Sequence, residues 1–156
     1  MTAVRHIAEG DCEEIRPGLV GQPANTLSSL AFVLAAVPIA RAARRRREPA
    51  WSAVAVATAV EGLGSVAYHG PGGRWAKALH DSGLVALAAA LGVALGREGR
   101  PVRLRPLTTA LGVSAITLHT LSRTGGPLCA CRSPLQGHAM FHLLAAAALA
   151  AAAEQR

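Results

Sequence analysis

The sequence predicts an all-α, multi-pass bundle of about five transmembrane helices, and three observations predict it. Hydrophobic residues make up 51% of the 156 positions and charged residues only 16%, where soluble domains carry roughly 25%. Aromatics are 3%, and the apolar content is mostly Ala, Leu, Val and Gly, which favours helices packed closely through small residues over a β-barrel. The charges also fall in blocks between apolar runs. A disordered or wholly solvated chain is excluded.

Five apolar segments follow in order. The first runs from Pro17 to Ala40 without a charge, the second from Pro49 to Gly73 broken only by Glu61, and the third from Ala78 to Gly96 with His80 and Asp81 near its start. The fourth is Pro106 to Ser122 and the fifth Ser133 to Ala153. A spanning helix needs about 20 residues, so four segments fit and the fourth is marginal. Buried helices of a soluble bundle would show polar faces at period 3.6, but Leu84 to Leu95 is apolar all round.

The excess of arginine sets an orientation. Arg41, Arg44 to Arg47, Arg97, Arg100, Arg103, Arg105 and Arg156 place ten basic residues on one side. The other side holds Arg5, Arg16, Arg74, Lys77, Arg123 and Arg132. The positive-inside rule then puts the amino terminus outside and the carboxyl terminus inside, with residues 1–24 an outer tail and 25–153 the bundle. The tail has no apolar core before a cleavage pattern and reads as translocated chain, not a signal peptide. The net charge of +7 is thus topology. No basic stripe interleaved with aromatics and no nucleic-acid motif accompanies it, so nucleic acid is excluded as a partner. Cys12, Cys129 and Cys131 all fall on the outer side, in an oxidising compartment. A bond from Cys12 to Cys129 or to Cys131 would tie the tail across the mouth of the bundle and leave one thiol over.

Ionisable residues inside a bilayer are costly and are functional candidates by default. Here they gather at one depth. The second segment carries Ser65 and His69 four apart, the third begins with His80 and Asp81, and the fifth begins with His138 and His142, again four apart. Residues at that spacing share one helix face. Three imidazoles from two helices suit a tetrahedral zinc site with an open fourth position. Zinc so held activates water and polarises a carbonyl, as amide or ester hydrolysis requires. Asp81 could move the proton and Ser65 could donate to the developing oxyanion. Helix-packing histidines are the plain alternative. Haem gives no reason for Ser65 and Asp81 at the same level, and His-Ala-Met-Phe-His lacks the Glu of a soluble zinc protease.

At these residues the chain resembles a family. Gly-Ser-Val-Ala-Tyr-His (Gly64 to His69), Leu-His-Asp (Leu79 to Asp81) and Gly-His-Ala-Met-Phe-His (Gly137 to His142) are similar to the alkaline ceramidases of the CREST superfamily of membrane hydrolases. Asp-Cys-Glu-Glu (Asp11 to Glu14) followed by Gln-Pro-Ala-Asn-Thr (Gln22 to Thr26) resembles the amino-terminal segment of that branch. The resemblance implies zinc on His69, His138 and His142, Asp81 as acid/base, Ser65 at the oxyanion, and cleavage of a ceramide-like N-acyl lipid. It implies that Cys12 pairs with a cysteine before the last helix. It also implies a weak calcium site at Glu13, Glu14 and Asn25, although Gln22 and Ile15 stand where the family has a Glu and a polar residue, which leaves fewer oxygen charges for a hard cation. The family is expected to have seven helices. Omitting two between the third and the last preserves the side on which His138 and His142 emerge.

Three residues stand apart. Glu61, one turn deeper than Ser65, is a candidate proton relay or outer partner of His69, or a neutral carboxyl bonded between helices. His119 reads as interfacial or as an outer partner of the metal site, and His6 as tail surface. The sequence thus predicts a zinc-dependent hydrolase of a membrane-lipid amide, its oligomeric state left open. The competing class is a non-catalytic, receptor-like or structural membrane protein whose metal pins helices together.

Overall fold

The computed structural model describes residues 9–97 and 104–155. His6, and Arg5, Arg100, Arg103 and Arg156 of the charge count, lie outside the described residues. Among those described, the chain is helical without strands: a 3-10 turn (Glu9–Asp11) precedes α1 (Pro23–Arg46), α2 (Pro49–His69), α3 (Arg74–Gly96), α4 (Pro106–Leu121) and α5 (Gly137–Glu154). Proline opens α1, α2 and α4, where its fixed φ suits a helix start and its missing N–H costs nothing.

Four of the five, all but α4, are long and apolar enough to cross a membrane. With 16 residues, α4 is only about 24 Å long. The outward faces carry large apolar side chains: Leu34 is 70% exposed, Val85 69% and Val93 54%. Such faces suit hydrocarbon and would be a liability in water. The chain therefore has membrane character.

Both ends of the first helix differ from its apolar run. The first helix begins at Pro23, six residues into its run, because residues 16–22 turn across the bundle end: Arg16 N–H donates to Gly21, Gly21 N–H to Gly70 and Gln22 N–H to His69. It then continues through Arg44, Arg45 and Arg46, good helix formers whose charge suits a helix carboxyl end. Arg47 stops it in a left-handed conformation. At this end Arg45 pairs with Glu154 at 2.9 Å, and Arg46 donates to the Ala153 and Glu154 carbonyls.

The helices alternate in direction and pack in the order α3, α2, α1, α5, α4, each against the next. The α2–α3 crossing is tight. A Cβ on Gly64 would sit 2.9 Å from His80 Cα, and one on Gly83 would sit 3.0 Å from Glu61 Cα. Only glycine lets the two backbones approach so closely. The buried core lies among α1, α2 and α5, with Phe32, Ile39, Trp51, Val54 and a run of small residues that includes Ala146 and Ala153. Between α3 on one side and α4 with α5 on the other, the arc encloses a cavity of about 660 Å³.

Candidate metal centre

His69, the last residue of α2, meets His138 and His142 of the first turns of α5. One ligand nitrogen from each lies within 4.8 Å of the others. Ring centroids are 5.2 Å apart for His69–His138, 5.4 Å for His69–His142 and 4.5 Å for His138–His142. All three are buried. The i, i+4 spacing on α5 supplies two rings from one face, and α2 brings the third to the same level.

Hydrogen bonds orient two of the rings. Gln22 Oε1 lies 2.6 Å from His69 Nδ1, which makes Nδ1 the donor and turns Nε2 inward as a lone pair. That Nε2 is buried with no hydrogen-bond partner, the atom a metal would satisfy. Ser28 donates its hydroxyl proton to the Asn25 carbonyl at 3.0 Å and thus receives His142 Nδ1–H at 2.9 Å. Neutral imidazoles with Nδ1 so engaged are prepared to bind through Nε2. The donor set fits a borderline ion such as zinc. His138 Nδ1 has no hydrogen bond among the described residues, yet it lies 3.5 Å from Asp11 Oδ1.

Ser65 stands beside this cluster, fully buried. Ser29 donates to the Asn25 carbonyl at 2.6 Å, so the 2.8 Å contact between the two hydroxyls has Ser65 donating to Ser29. Its proton is engaged within the bundle, in a chain that ends at His142. Asp81 lines the cavity together with His138 and His142. Its carboxylate is half exposed and bonded to Lys77 Nζ at 2.5 Å and to His80 Nδ1 at 3.2 Å. The other nitrogen of His80 faces Glu61 Oε1 at 3.3 Å. Glu61 therefore faces α3 and partners His80, not His69. His119, on the cavity wall, has its ring 5.4 Å from His138 and 4.7 Å from Phe141.

The acidic tail residues make contacts within the protein. Both oxygens of Glu13 accept backbone N–H groups, from Ala24 and Asn25 at 2.8 Å each, and so cap α1. Glu14 faces Arg132 at 3.4 Å. Asn25 is fully buried, with its side-chain nitrogen 3.5 Å from the Asp11 carbonyl. Of the residues of the calcium expectation, Glu13 caps α1, Glu14 faces Arg132 of the last loop and Asn25 is buried at the start of α1. Cys12 pairs with Cys129, and Cys131 remains an exposed thiol.

Residues that sequence reasoning did not assign to the site are Asp11, Gln22 and Ser28. Asp11 is buried, 4.0 Å from Arg123. Burial pushes its carboxyl above the ordinary carboxylate range, with Arg123 acting in the opposite direction. Its position is fixed by the disulfide of the next residue and by Thr124, which donates N–H to Gly10 at 2.9 Å and accepts Cys12 N–H at 3.1 Å.

Fold and site together define a helical protein of membrane character with a buried three-histidine cluster able to hold a metal ion. No family model, curated protein or solved structure matches the chain.

Proposed function

We propose that the chain is a zinc-dependent intramembrane hydrolase that cleaves the amide bond of a ceramide-like N-acyl lipid. The observation that carries this reading is that two of the three clustered histidines line the cavity. His138 and His142 share its wall with Asp81 at one end, while Leu84, Leu87, Leu91, Leu149 and Ala152 line the rest. From Asp81 to Leu95 the wall follows α3 for roughly 21 Å, room for a long acyl chain. Such a slot lets the chain pass from lipid to protein without exposure to water.

Zinc on His69, His138 and His142 would supply a Lewis acid for the amide carbonyl and a water acidic enough to attack it near neutral pH. Asp81 takes the proton of the attacking water and delivers it to the departing nitrogen, giving a fatty acid and a free amine. Lys77 and His80 hold that carboxylate at the cavity mouth. Ser65 and Ser29 brace His142 from behind, so the support of Ser65 for the oxyanion is exerted through the position of that ring. The resemblance to alkaline ceramidases and the clustering of these motifs at one depth support the same reading. We place this end of the bundle outside the cell membrane, on the distribution of arginine.

The second reading is a non-catalytic, receptor-like or structural protein whose metal joins α2 to α5. It is favoured by the engagement of Asp81 with Lys77 and of Ser65 with Ser29. Detergent-purified protein incubated with a fluorescent N-acyl sphingoid lipid decides between them. The hydrolase releases the free amine, and Asp81→Asn lowers the rate by about 100-fold or more with zinc content retained. Bound zinc without cleavage in the wild type would favour the second reading.

A further inference from the structure

The three imidazoles differ in what holds their outer nitrogen. His69 Nδ1 has Gln22 Oε1 at 2.6 Å and His142 Nδ1 has Ser28 Oγ at 2.9 Å, while His138 Nδ1 has, among the described residues, only Asp11 Oδ1, at 3.5 Å. Ser28 and Gln22 are neutral; Asp11 is the one carboxylate in the set. Asp11 reaches this place by tertiary means. Its 3-10 turn is bonded to Thr124, its successor is cross-linked to Cys129, and its own carbonyl accepts Glu13 N–H at 2.9 Å.

We propose that Asp11 is the positioning residue of His138: its carboxylate accepts Nδ1–H, fixes the tautomer and leaves Nε2 to the metal. The amino-terminal segment then supplies the outer partner of every ligand, Asp11 for His138, Gln22 for His69 and Ser28 at the start of α1 for His142. A carboxylate on the far side of a ligating imidazole raises its basicity and holds its plane, and removing such a partner costs roughly 10–100-fold in metal affinity. The inference rests on the zinc reading of the cluster, and it assigns the tail, with its disulfide, to the metal centre itself.

Competition between the full-length detergent-solubilised protein and a chromophoric chelator for zinc alone tests it. Asp11→Asn keeps the shape, removes the charge and is expected to weaken zinc by roughly 10–100-fold. Asp11→Glu recovers most of the loss. Glu14→Gln, the same charge change in the same tail but facing Arg132, leaves affinity at the wild-type value. Equal affinity in Asp11→Asn and wild type overturns the assignment of Asp11 and leaves the zinc reading standing, whereas a wild type that binds no zinc overturns both. A measurement on the wild type alone covers an Asp11→Asn chain that does not fold. In the 15N spectrum of the zinc-loaded protein His138 is expected to be protonated at Nδ1 and metal-bound at Nε2. The reverse assignment contradicts the proposal.

Discussion

Three histidines buried in an apolar bundle would be costly if each left two ring nitrogens unsatisfied. Gln22 and Ser28 remove that cost at Nδ1 of His69 and His142, and they do so with acceptors whose own protons are committed elsewhere: Gln22 Nε2 donates to the Glu13 carbonyl at 3.0 Å and Ser28 to Asn25. Gln22→Met, of similar shape without the acceptor, leaves His69 Nδ1 unpaired in a fully buried position. Stability is expected to fall by about 1–3 kcal/mol in a denaturant titration, and zinc affinity by about tenfold. At this scale the sequence was partly legible. The i, i+4 pairs Ser65/His69 and His138/His142 announce two helix faces, but nothing local links Gln22 to His69 across 47 positions or Asp11 to His138. Those partners are made by tertiary closure of the tail, which periodicity does not encode.

Among the helices, charge and glycine decide what is close to what. The apolar runs foretold all five elements in order, including the short fourth, because length and hydropathy are read directly from composition. The start of α1 falls inside the first apolar run because Pro17, Gly18 and Gly21 favour a turn, with Gly18 at φ 114°, and Gly21 and Gln22 are bonded to the end of α2. Hydropathy alone does not register such turn residues. The α2–α3 crossing at Gly64 and Gly83 places His80 between Glu61 and Asp81, a tertiary result that sets Glu61 between two helices and not beside His69. Arg45 and Arg46 join α1 to the end of α5, opposite the metal cluster. The proposed orientation puts that arginine end inside. Cys131, the exposed thiol at the other end, is therefore expected to react with a membrane-impermeant maleimide added to intact cells. Labelling only after the membrane is permeabilised would reverse the orientation.

Taken whole, the molecule is an arc of helices whose open side is a cavity and whose one end is clasped by the tail. The Cys12–Cys129 bond spans 117 residues of sequence and joins the two segments that carry Asp11 and the start of α5. The cavity lies between α3 on one side and α4 with α5 on the other. It begins at His138 and His142 and continues along Leu91, Leu95 and Leu149. The proposed chemistry depends on the three-histidine cluster holding a metal ion. Elemental analysis of the detergent-purified wild type beside His138→Ala tests that most directly. The account predicts close to one zinc per chain in the wild type and its loss in the variant. Wild-type protein free of zinc after purification and zinc reloading, or zinc retained in His138→Ala, would contradict it.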